Sequence, residues 1–140
     1  MTSSSPTELD WLLDDLVQRL PGVRHAVVLS TDGLLIGRST QIPRNDAEHF
    51  CAMSSTLFGL ARSSGARFGG GGVRQAVVEL DEAIIFVTAG GPNACMALMA
   101  DDSANMGMVA YEMNHTIKRV GTYLSAMPRP GSLFSVDTQS

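Results

Sequence analysis

The chain has 140 residues, 44% of them hydrophobic and 17% charged, which suits one α+β domain able to bury roughly two-thirds of its unfolded surface. A formal net charge of -4 without a Lys/Arg cluster lacks the electrostatic footprint of nonspecific nucleic-acid or anionic-membrane binding. Residues 1–6 have neither the basic start nor the apolar core of a signal peptide, and no apolar run nears a membrane span, so a cytoplasmic protein without membrane insertion is expected.

In chain order, Ser5 can cap a first helix, with Pro6 at its first position and Glu8 closing a capping box. Leu9, Leu12, Leu13, Leu16 and Leu20 form its apolar stripe, and Pro21-Gly22 stops it. Trp11 lies off that stripe, suited to flanking the core or packing in a dimer, while the acidic residues opposite form a solvated or partner-facing side. Two β-rich runs, 23–30 and 34–39, are joined by Thr31-Asp32-Gly33, a hairpin signal because Asp-Gly tolerates positive φ. After Pro43-Arg44-Asn45 a second helix spans 46–64, capped by Asn45 or Asp46, and a glycine-rich loop over 65–72 follows. Strands over 73–80, 83–89 and 94–100 are linked by Asp81-Glu82 and Gly90-Gly91-Pro92-Asn93, too short for helical crossovers, so they form a meander. Asp101, Asp102 or Ser103 then caps a last helix with the inner stripe Met106, Val109, Ala110, Met113, Ile117, Val120 and Leu124. These elements predict a five-stranded antiparallel sheet with three helices in the order α-β-β-α-β-β-β-α. The domain spans 7–127, and residues 1–6 and 128–140 read as disordered. Strand segments such as Ala83-Ile84-Ile85-Phe86-Val87 are apolar on both sides, so both sheet faces need covering.

The second helix is the most informative element. Ala47, Phe50, Cys51, Ser54, Leu57, Phe58 and Ala61 fall on one stripe that faces the sheet. The rest is short of charge, with Met53, Thr56 and Leu60 on one flank and Ala52, Ser55, Gly59 and Ser63 on the other; Arg62 stands near the end. A helix with no wet face has a second neighbour, and a chain of this length rarely has enough layers to enclose it. Ala52, Met53, Ser55, Thr56, Gly59, Leu60, Arg62 and Ser63 are therefore the expected partner-binding and dimer-binding residues.

Motifs for chemistry are weak by comparison. Gly69-Gly70-Gly71-Gly72 lacks a following Gly-Lys-Ser/Thr and leads into a strand, so it reads as a loose connection and not as a phosphate cradle. His25, His49 and His115 have no metal-ligand spacing, and Asp81-Glu82 and Asp101-Asp102 are explained by turns and caps. Cys51 and Cys95 sit among apolar residues as buried free thiols, and most of the 8 methionines suit core packing. No catalytic residue, cofactor or metal is expected.

The order of elements, together with residues 16–22 followed by Val23-Arg24-His25-Ala26-Val27-Val28-Leu29-Ser30-Thr31-Asp32-Gly33-Leu34-Leu35-Ile36, resembles the roadblock family of small GTPase-associated domains. The small-residue second helix and the turn-linked strands over 75–100 support the likeness, which covers roughly residues 9–124. It is nearest in pattern to the bacterial stand-alone members found in actinomycete operons, the conservon type, beside a Ras-like GTPase and a sensor-kinase-like protein. Profilin-like and longin-like folds share the sheet. The resemblance implies a homodimer with paired central helices and sheets joined edge to edge, forming a platform for a Ras-like small GTPase. Family members accelerate hydrolysis, promote exchange or only scaffold. Arg62, Arg67 and Arg74 are candidates for an arginine finger, although surface arginines of this kind are usually solvated.

A homodimeric, non-enzymatic regulator or scaffold of a small GTPase is thus the expected function. The alternatives are a small-ligand sensor of profilin or PAS type, with a cavity among Val27, Phe86 and Met96, and a nucleotide-independent assembly module for a sensor kinase.

Overall fold

The structure is a computed structural model that describes residues 7–91 and 93–126. The segments expected to be disordered, 1–6 and 128–140, lie outside the described residues, as do Ser5, Pro6 and Pro92. Helix α1 (Glu8–Arg19) is capped by Thr7, whose hydroxyl accepts from the Asp10 amide at 3.1 Å while the Asp10 carboxylate accepts from the Thr7 amide at 3.0 Å. The capping box therefore lies two residues later than the expected Ser5/Glu8 pair, because Thr7 and Asp10 carry the same donor and acceptor chemistry at the same spacing.

Strand β1 (Val23–Ser30) turns at Gly33, whose φ of 91° suits glycine, into β2 (Leu35–Arg38). Helix α2 (Arg44–Arg67) leads to β3 (Gln75–Glu79), β4 (Ala83–Ala89) and β5 (Ala94–Asp101), and α3 (Met106–Ala126) completes the described chain. The five antiparallel strands lie in the order β2-β1-β5-β4-β3, so β3, β4 and β5 form the expected meander and β5 closes onto β1. The order α-β-β-α-β-β-β-α is as anticipated.

Strand alternation divides the core in two. On one face Val28, Met96, Leu98 and Phe86 pack with Leu9, Leu13 and Leu16 of α1 and Val109, Met113 and Val120 of α3. On the other, Val27, Leu29, Ala97 and Val87 pack with Ala47, Phe50, Cys51 and Phe58 of α2. Val28 stands opposite Met96 and Val27 opposite Ala97. The ligand cavity expected among Val27, Phe86 and Met96 is therefore corrected: all three are buried, and Val27 lies on the opposite side of the sheet from the other two.

Three local expectations also change. Asn105 caps α3 in place of Asp101, Asp102 or Ser103, its side-chain oxygen accepting from the Met108 amide at 2.9 Å. Met106, expected on the inner stripe, is 38% exposed because it occupies the first turn, beyond the sheet-facing stripe that begins at Val109. Asp10 and Asp14 are more than solvated surface. Asp10 accepts from the Arg38 amide at 2.9 Å and Asp14 from the Thr40 amide at 2.7 Å, which occupies the outer edge at β2 with carboxylates.

Candidate partner-binding surface

Helix α2 begins at Arg44, with Pro43 at the cap and no side-chain cap bond, in place of Asn45 or Asp46. Proline supplies no side-chain acceptor, and its carbonyl accepts from the Ala47 amide at 2.9 Å. The helix runs to Arg67 and buries Ala47, Phe50, Cys51, Ser54 and Phe58, with Leu57 half-buried against the same core. One helix thus covers the sheet face that α1 and α3 leave open, and its far side has no neighbour among the described residues.

On that far side Met53 is 62% exposed and Leu60 66%. Ala52, Thr56 and Ser63 are exposed as well, and the Thr56 hydroxyl donates to the Ala52 carbonyl at 3.0 Å, which leaves its methyl at the surface. A Cβ placed on Gly59 would meet no atom within 4 Å, so the backbone there is open to an approaching chain. Ser55 is half-buried and engaged with its own molecule: its hydroxyl donates to the Thr31 carbonyl at 2.9 Å, pinning the β1–β2 turn to the helix. The Arg62 guanidinium lies 5.3 Å from the centroid of the Phe58 ring. Arg67 and Arg74 are exposed at opposite ends of the glycine-rich loop. The eight expected residues thus lie along one helix, but Ser55 makes an internal contact and Arg62 rests on its own helix.

Three contributions were not legible as site residues in the sequence. Met99, on β5, lines a hollow of about 580 Å³ with Met53, His49, Phe50 and His25, so the Met53 flank of α2 adjoins incompletely covered sheet. Ile85 pairs with Met99 across β4 and β5 and is half-buried on the same side. Strand β3 ends the sheet, and nothing among the described residues pairs with its outer edge. The signal for the first two was the apolar alternation of β4 and β5; their incomplete cover follows from the path of α2.

Electrostatics argue for packing at the ionisable groups nearby. His25 meets Phe50 edge-on at 5.0 Å, and burial, then the Arg24 charge, lowers its pKa, which keeps the ring neutral. Burial, with a smaller contribution from Glu48, pushes the Cys51 thiol up to about 11, and burial likewise raises Cys95, so neither is an activated nucleophile. His115 stacks on Tyr111 on α3, apart from this surface.

The sequence model of the Roadblock/LC7 domain matches residues 9–100, from α1 through β5. The chain belongs to the Roadblock/LC7 domain family. This roadblock domain is 42% identical to a solved Roadblock/LC7 domain from Streptomyces avermitilis, with 87% of this chain and 100% of that one covered at a TM-score of 0.81. An uncharacterised protein of Methanocaldococcus jannaschii is 28% identical over 112 residues, covering 79% of this chain and 92% of its own. Myxococcus xanthus MglB shares the fold at 12% identity and a TM-score of 0.77, covering 89% of this chain and 100% of that one.

Proposed function

We propose that this roadblock domain is a homodimeric, non-enzymatic regulator or scaffold of a small Ras-like GTPase in a bacterial signalling system. The single observation that carries the reading is the unpartnered side of α2, where Met53 and Leu60 stand exposed next to small side chains. The two flanks suit different partners. Met53, beside Met99, and Leu60, two turns further along α2, give one copy of the chain an apolar strip for another copy, and the outer edge of β3 offers backbone groups for joining two sheets. Ala52, Gly59 and Ser63 leave the opposite flank low, which suits close approach by the GTPase. The GTPase as partner rests on the family resemblance, and a sensor-kinase-like protein of the same operon is a further partner on the same ground. Among the described residues no helix is long and apolar enough to cross a membrane.

The test is sedimentation of the purified chain together with pull-down of candidate Ras-like GTPases loaded with GDP or GTP. A dimer that retains one GTPase with a nucleotide preference supports the reading, and Gly59→Arg should remove that retention while the dimer persists. A monomer at high concentration, or capture indifferent to Gly59→Arg, overturns it.

A further inference from the structure

The end of α2 is built more tightly than its run of glycines suggests. Phe68 closes the helix, its amide donating to the Ser64 carbonyl at 3.0 Å. Gly69 then turns with a φ of 77°, and the Gly70 amide returns to the Gly65 carbonyl at 2.8 Å, the bond of a glycine-stopped helix. A Cβ on Gly65 would lie 2.1 Å from the Gly71 carbonyl oxygen, so only glycine lets the loop fold back this far. Phe68 stands on that knuckle 80% exposed. A large ring on a fixed backbone has little freedom left to lose when it is covered. Phe68 also follows Ser64 and Leu60 at four-residue steps, which puts it on the flank of α2 that carries Met53.

The other end of the same flank offers a complement. The hollow of about 580 Å³ beside Met53 has buried Ile42 and Phe50 and the half-buried Met99 in its lining, an apolar floor with two thioethers suited to a ring edge. Of its charged groups Arg24 is paired with Asp101, whereas Asp46 has no ion pair among the described residues. Arg67, next to Phe68, is exposed and of the opposite sign. The chain's own Phe68 does not reach this hollow, because the intervening helix holds it about 22 Å from Met53 at about 1.5 Å per residue. A second copy brings the two together. Phe68 lies as far past Leu60 as Ala52 lies before it, so antiparallel α2 helices related by a two-fold axis at the level of Leu60 set Phe68 of each copy beside Met53 of the other.

We infer that Phe68 of each copy seats in the hollow of the other, between Met53 and Met99, with Arg67 turned toward Asp46. The inference rests on the homodimer proposed above and names its anchor: two identical aromatic plugs, one at each end of the helix pair. Ala52, Gly59 and Ser63 stay free on the opposite flank.

The test uses the full chain with p-benzoylphenylalanine in place of Phe68, irradiated as an equal mixture of light and isotope-heavy chains and mapped by peptide mass. Links between light and heavy chains at Met53 or Met99 are expected. In sedimentation, Phe68→Ser should raise the dimer dissociation constant roughly 50-fold or more by removing two covered rings, while Phe68→Trp keeps the dimer and both variants keep the helix content of the parent by circular dichroism. A dimer whose links fall elsewhere, or one that Phe68→Ser leaves at parental strength, overturns the anchor and leaves the homodimer standing. A parent chain that stays monomeric at high concentration overturns both.

Discussion

Replacing Leu60 with Asp places a charge on the α2 flank where the side chain is 66% exposed in the isolated chain. Full burial of a leucine contributes about 1.5 to 3 kcal/mol, so covering the exposed two-thirds contributes about 1 to 2 kcal/mol per copy. A symmetric dimer buries the residue twice, giving about 2 to 4 kcal/mol, or a dissociation constant raised roughly 30- to 700-fold by loss of the apolar contact alone. Desolvation of two carboxylates adds to this. The fold should survive, because the side chain extends away from the core that α2 makes through Phe50, Cys51 and Phe58. Sedimentation velocity across a concentration series, with circular dichroism as the check on folding, gives the answer. A Leu60→Asp chain that is folded and dimerises like the parent would refute the assignment of this flank to the interface. A chain that unfolds would refute the claim that the flank is free in the single subunit.

Other expectations follow from local contacts. Asp10→Ala removes acceptors for both the Thr7 and Arg38 amides and should cost about 2 kcal/mol, lowering the melting midpoint by about 6 to 12 °C, with Asp10→Asn milder; calorimetry reads it. With its pKa lowered below the ordinary 6.5, His25 binds a proton more readily unfolded than folded, so its contribution to stability is complete above pH 6.5 and declines as the pH falls from there toward the folded value. Denaturant midpoints measured between pH 8 and 5 should fall less steeply for His25→Gln than for the parent. At neutral pH Cys51 and Cys95 should react with a thiol reagent only as fast as the domain opens, so labelling at the rate of an exposed thiol would contradict their burial. Gly37→Ala would put a Cβ 2.7 Å from Leu9 Cδ2, and about 1 to 3 kcal/mol of destabilisation is expected in urea titration.

The local pattern in the chain determined the three helices, the five strands, the β1–β2 hairpin and the near-neutral character of α2, because periodicity and turn residues act over a few positions. It placed Phe50 and Phe58 toward the sheet and Met53 and Leu60 away from it. The pairing of β1 with β5, the two-sided core that separates Val27 from Phe86, the carboxylates of α1 on the edge at β2 and the contact of Ser55 with Thr31 were decided by the tertiary structure alone. Each joins residues distant in the chain, and hydropathy gives a residue's tendency to be covered without naming its cover. Met53 and Leu60 could be read as apolar on an outer flank; that nothing among the described residues covers them follows from α1 and α3 both packing on the opposite face.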